Sequence, residues 1–269
     1  MAEPNVNPHH IQLKAAENLI IHTGNIASWS RLRMTTTSPA EELVESIRAT
    51  LQAWSPLVNN EEIQAQTTVQ ACHGTYIEKV SDAERSQLKL TVKLFMTQWD
   101  PEAIKEGVKR TLCELGVSQL DVLILACPDT PDDEMSLDLI KPLWLILEGM
   151  VEQRLLLSLG IADLQKETLE QLYNWAKVKP NIDHWNSVLC CVMPEDLVAF
   201  AKQHDIQLLS HSDERNILLS ESLQAVVSST CSDQAGERWQ THWVLRYALI
   251  VRSRGILTSK GYIVKATRS

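Results

Sequence analysis

The sequence predicts an α/β protein built on a parallel sheet. Three observations predict it. From about residue 88 onward, apolar strand-like runs alternate with segments whose apolar residues recur every three or four positions, the mark of helices with one buried face. Strands alternating with helices in this way form parallel sheets. The run Asp121 to Ala126 is apolar throughout, as a fully buried strand must be. Finally, 269 residues are enough to close such a sheet into one barrel, for which about 250 are usual. A doubly wound open sheet would satisfy the periodicity equally well, so pattern alone leaves both open.

Residues 1–17 read as a flexible polar N-terminal arm and residues 18–269 as one domain. Within Asn18 to Met34 the turn-forming triplet Thr23-Gly24-Asn25 predicts a hairpin. Ser38-Pro39-Ala40-Glu41 opens a helix: Ser38 caps the free amides, Pro39 suits the first helical position and Glu41 completes a capping box. Its stripe is Val44, Ile47, Leu51 and Trp54. Leu88 to Met96 is a strand. Asp100-Pro101 opens a helix with Ile104, Val108, Leu112 and Leu115 on one face, and Gly116 ends it. After the strand Asp121 to Ala126, Pro142 opens a helix through Trp144, Leu147 and Val151. Leu155 to Ile161 is a strand, Lys166 to Lys177 a helix, Pro194 the start of another, and Ile206 to Ser210 a strand. Residues 211–240, rich in Ser, Asp, Glu and Gln, lose the rhythm and predict an irregular loop.

Composition narrows the function. A formal charge of −9 argues against nucleic-acid and anionic-membrane partners, which require basic patches. The start Met-Ala-Glu-Pro-Asn-Val-Asn-Pro lacks the basic and apolar regions of a signal peptide, and no apolar run is long enough to span a bilayer, so a cytoplasmic location is expected. None of the six cysteines forms a Cys-x-x-Cys and the eight histidines show no ligand spacing, so no metal is expected. Cys190-Cys191 has two readings: small side chains closing a strand, or a redox-sensitive thiol at a partner surface.

Leu120 to Pro128, Leu-Asp-Val-Leu-Ile-Leu-Ala-Cys-Pro, resembles the fourth strand of the aldo-keto reductases, Leu-Asp-x-x-x-x-His-x-Pro. Trp144 with Glu148 resembles that family's Trp-x-x-x-Glu helix, and Leu159-Gly160-Ile161-Ala162-Asp163 its Gly-Val-Ser-Asn turn. The likeness covers roughly residues 18 to 255 and implies a (β/α)8 TIM barrel. Within this superfamily, longer runs resemble the regulatory, or modifier, subunits of glutamate–cysteine ligases: Gln171 to Asn181, Cys190 to Pro194, Ala199 to Gln203, Asp205 to Leu209, and the tail from Leu245 to Ile263.

The resemblance implies an enzyme scaffold with its chemistry removed. Lys93 falls at the catalytic lysine, a vestige. Ala126 replaces the substrate-orienting histidine, and Val69 and Gly74 stand at the aspartate and tyrosine positions. Alanine, valine and glycine side chains exchange no proton. Ala162 and Asp163 replace the residues that hold the nicotinamide amide, His184 replaces a glutamine, Ser30 to Arg33 replaces a Gly-x-Gly-Thr, and Ser210 to Asp213 replaces a Pro-Leu-Gly. Arg252-Ser253 sits where the family grips a 2′-phosphate, as an anion remnant or, with Arg254, as a partner-facing edge. The implied protein has no catalytic residues and no cofactor. It pairs with the glutamate–cysteine ligase catalytic subunit as a heterodimer, raises that subunit's glutamate and ATP affinity, and relieves glutathione feedback. The alternatives are an NADP-dependent reductase built on Tyr76 and Lys93, and a nucleotide sensor using Arg252.

Overall fold

A computed structural model of the chain describes residues 11–29, 38–130, 135–187, 192–231 and 238–268. The strands are β1 (Asn18–His22), β2 (Thr68–Cys72), β3 (Leu88–Met96), β4 (Leu120–Ala126), β5 (Leu156–Ala162), β6 (Ile182–Asn186), β7 (Gln207–His211), β8 (Trp239–Val251) and β9 (Ile256–Arg268). The longer helices are α1 (Pro39–Trp54), α2 (Pro101–Leu115), α3 (Leu137–Glu152), α4 (Lys166–Trp175), α5 (Glu195–Gln203) and α6 (Ser220–Thr230). One sheet joins the strands in the order β2-β1-β9-β8-β3-β4-β5-β6-β7. β3 to β7 are parallel neighbours, as the strand–helix alternation requires. β8 and β9 form an antiparallel hairpin inserted between β1 and β3. The C-terminal end of the chain is therefore a pair of 13-residue strands.

Several helix ends follow from the capping chemistry. Ser38 accepts a hydrogen bond from the Glu41 amide at 3.2 Å, and Asp100 one from the Glu102 amide at 3.0 Å. Gly116 closes α2 at φ 66°, returning its N–H to the carbonyls of Leu112 and Cys113. Period-2 alternation splits the side chains of the parallel strands between two faces. Leu94, Leu123, Leu125, Leu159, Ile161 and Trp185 point to a core shared with α2 to α5. Val122, Ile124, Ala162 and Ile182 form a small cluster on the opposite face. A second large core joins β1, β2 and β9 to α1 and α6.

Some expectations are corrected. Residues 11–17 of the expected arm are packed: Ile11, Leu13 and Ala16 are buried in the second core, and the Gln12 amide donates to Asn60 Oδ1. Residues 1–10 lie outside the described residues. Thr23-Gly24-Asn25 makes no hairpin. β1 ends at His22 and pairs with β2 on one side and β9 on the other. Gly24, at φ 70°, passes so close to the Tyr76 carbonyl that any side chain would collide with it. α3 begins at Leu137 rather than at Pro142, which lies inside the helix. The stretch 211–240 contains α6, packed on α1 and β8.

Candidate functional site

The same alternation that builds the cores sets the site. Lys93 and Phe95 on β3, Ala126 on β4, Ala162 on β5, His184 on β6, His211 on β7 and Arg246 on β8 share the face turned away from α2 to α5, near the C-terminal ends of the parallel strands. Between them opens a cavity of about 330 Å³, bounded by Lys93, Ala126, Asp129, Asp163, His211 and Asp213 among others. Ala126, standing at the expected histidine position, offers no donor there. Gly160 keeps the neighbouring strands close, since a methyl at that position would press on Ile182 and Ile124.

Lys93 is 3% exposed, and its Nζ lies 2.8 Å from Asp213 Oδ2. Directly across the antiparallel β3–β8 pair stands Arg246. Like charges facing each other across a sheet repel. Asp213 resolves the repulsion by accepting both: Arg246 Nη1 reaches Oδ1 at 2.5 Å and Nη2 reaches Oδ2 at 2.8 Å, a bidentate clamp. The Phe95 ring lies beneath both cations, 4.9 Å from the Lys93 nitrogen and 5.4 Å from the Arg246 guanidinium. Burial lowers the Lys93 pKa, with Asp213 opposing. Burial also pushes Asp213 upward, but the hydrogen bonds and charge of Arg246, then those of Lys93, prevail and hold it well below the usual carboxylate range. Lys93 thus forms an internal ion pair, with a carboxylate from the segment that follows β7.

His211 extends the cluster. Its Nε2 lies 3.1 Å from Asp163 Oδ1 and 3.0 Å from the His184 carbonyl, and its Nδ1 accepts the Asp213 amide at 3.1 Å. The His184 ring packs 4.3 Å from that of His211. Burial, then the nearby positive charge of Lys93, lowers the His184 pKa to about 3, so the ring is neutral. Nitrogens of His184 and His211 and a carboxylate oxygen of Asp213 lie within 4.8 Å of one another. They do not fit a cation. Both Asp213 oxygens and both His211 nitrogens are engaged, and two fixed positive charges stand beside them.

A nicotinamide cofactor fits no better. Ala162 has no side-chain hydrogen-bonding group, and Asp163 is turned to His211. Ser30 to Arg33 lies outside the described residues. Arg252 is not a free anion grip. Its Nη2 binds Asp121 Oδ1 at 2.5 Å and its Nε donates to the Leu88 carbonyl at 3.0 Å. Asp121 also receives Arg85 at 2.9 Å and the Leu90 amide at 2.7 Å. This cluster sits at the start of β3 and β4, its Asp121 three residues, roughly 10 Å, below the level of Lys93 along the strands. Ser253 and Arg254 are exposed in the β8–β9 turn. Tyr76, the tyrosine of the reductase alternative, stacks on Trp29 and His73, and no hydrogen bond joins it to Lys93 among the described residues. Val69 is a core residue of β2. Cys190 and Cys191 lie outside the described residues.

The Trp-x-x-x-Glu motif of α3 is structural here. Trp144 Nε1 donates to the Val178 carbonyl at 3.0 Å, and Glu148 accepts the amides of Lys177 and Val178 at 2.7 and 2.8 Å, fixing the approach to β6. Sequence reasoning missed Asp213 and Arg246 as a unit. A lysine and an arginine without a nearby carboxylate in sequence were the available signal.

A family model described as Aldo/keto reductase family matches residues 36–222. The glutamate–cysteine ligase regulatory subunit of Homo sapiens is 40% identical over 260 residues, 95% of each chain. A putative glutamate–cysteine ligase regulatory subunit of Schizosaccharomyces pombe is 22% identical over 93% of this chain and 97% of that one. Among solved structures, an aldose reductase from Giardia lamblia aligns with a TM-score of 0.36 at 17% identity, covering 64% of this chain and 53% of that one.

Proposed function

The chain belongs to the aldo/keto reductase family, and from that premise we propose that it is a non-catalytic regulatory subunit that binds the catalytic subunit of glutamate–cysteine ligase in the cytoplasm. The observation that carries this reading is the near-full-length likeness to curated regulatory subunits. The site supports it. Lys93 is held by Asp213, Ala126 offers no proton donor, and the positions that would grip a nicotinamide do not. No helix among the described residues is long and apolar enough to cross a membrane.

A regulator of this kind acts through a coupling free energy. It binds the substrate-competent form of its partner more tightly, by about 1–3 kcal/mol, and substrate in turn tightens the pair. We assign the contact to the β8–β9 turn, where Arg254 is exposed beside Ile256 and Leu257, 52% and 44% exposed. Co-expression with the catalytic subunit, co-purification and glutamate kinetics test the reading. The expected result is a stable complex with a lower KM for glutamate, and Arg254→Glu slowing its association more at low salt than at high. Arg252→Glu would be a poor probe, because it breaks the Asp121 cluster. Absence of a complex together with NADPH-dependent turnover of a simple aldehyde, lost in Lys93→Met, would replace this reading with a reductase.

A further inference from the structure

The cavity at the C-terminal ends of β3, β4, β5 and β7 lies at the other end of the strands from the β8–β9 turn. Its volume of about 330 Å³ is room for roughly ten waters. Its wall carries both signs of charge. Lys93 supplies a buried ammonium with three donors, of which Asp213 takes one, and Arg215 adds a guanidinium. Asp129, Asp163 and Glu214 supply carboxylates. Asp163 is held there by a left-handed backbone, φ 63°. Among the described residues, the other non-glycine positions with positive φ, Arg154 and Asp205, sit just past the ends of α3 and α5, where that conformation terminates a helix. Asp163 terminates a strand instead. The strained conformation keeps its carboxylate at the cavity edge, on His211.

These charges select a guest. A simple anion meets three carboxylates. A simple monocation or a metal ion meets Lys93 and Arg215, with Arg246 behind Lys93. A molecule carrying both charges a few bonds apart meets a complement for each. We propose that this cavity binds a small zwitterion of the α-amino acid class, its carboxylate toward Lys93 and its ammonium toward Asp129 and Asp163. Ala126 provides the space, since a larger residue there would fill the wall between the two poles.

The site stands independently of the partner reading and is tested on the isolated full-length chain. Saturation-transfer NMR and titration calorimetry would compare glycine, L-alanine and L-glutamine with acetate and methylammonium. The amino acids are expected to bind, and the singly charged analogues to bind at least about tenfold more weakly. Asp129→Asn, at an exposed position, should weaken amino-acid binding without moving the thermal melt, and Ala126→Leu should abolish it. Lys93→Met should weaken the carboxylate end; should that variant fail to fold by circular dichroism, Asp129→Asn decides. No binding of any amino acid at ~10 mM, acetate binding as tightly as glycine, or full binding to folded Ala126→Leu would each overturn the proposal.

Discussion

Lys93 and Arg246 repel each other across two antiparallel strands until Asp213 comes between them. The weight of the cluster therefore rests on the carboxylate. Asp213→Ala leaves two buried cations face to face and is expected to cost ~3–5 kcal/mol. Lys93→Met keeps the bidentate Arg246–Asp213 pair and should cost less than half as much. Urea unfolding of both variants checks the order; equal losses would mean that the lysine, not the aspartate, organises the site. Asp183 is a different case. It lies fully buried on β6, its oxygens make no hydrogen bond of good geometry, and burial, then the nearby Asp163, raises its pKa to about 8. An unfolded aspartate titrates near 3.9. The folded state therefore binds this proton more tightly, and the stability it confers at low pH is lost as pH rises from about 4 through about 8. Asp213, with its depressed pKa, works the other way: its contribution is present above about 4 and is lost as pH falls. Asp183→Asn should flatten the decline between about pH 5 and pH 8, by up to ~4 kcal/mol. Thermal melts across that range measure it, and an unchanged slope would assign the decline to another group.

At the scale of elements, the β8–β9 hairpin depends on one missing methyl. Gly261 packs against the Gly24 carbonyl and the Tyr247 hydroxyl so closely that a Cβ would collide with both. Gly261→Ala is expected to cost ~1–3 kcal/mol as overpacking, seen as a lower urea midpoint with an unchanged slope. A neutral substitution would show that β9 can slide away from β1. The hairpin also shows where sequence legibility stopped. Strands β3 to β7 are legible because they alternate with amphipathic helices and their order is local. Trp239 to Val251 alternates buried and exposed side chains over much of its length, but its partners lie about 150 residues upstream on β3 and just downstream on β9. Nothing local to residues 239–268 announces that they insert between β1 and β3.

For the whole molecule, the fold keeps two large cores, one under α2 to α5 and one joining α1 and α6 to β1, β2 and β9. Lys93 and Ala126 were legible because strand motifs place them. Asp163 and His211 were visible only as substitutions, and their union with Asp213 and Arg246 was not, since Lys93 lies 120 residues from Asp213 and Arg246 another 33 beyond it. The placement of β9 carries a further consequence. Asn18 pairs with Thr68 on one side and Thr267 on the other, so β1 gains β2 early but its second neighbour only when β9 has been made. On a ribosome, β1 and β3 leave the exit tunnel with the edges that will hold the hairpin still bare, because β8 begins more than 140 residues after β3 ends. Bare edges invite pairing with other chains, and contacts this distant in sequence close slowly. The hairpin that completes the sheet thus leaves the nascent protein in need of protection until the hairpin itself has been made.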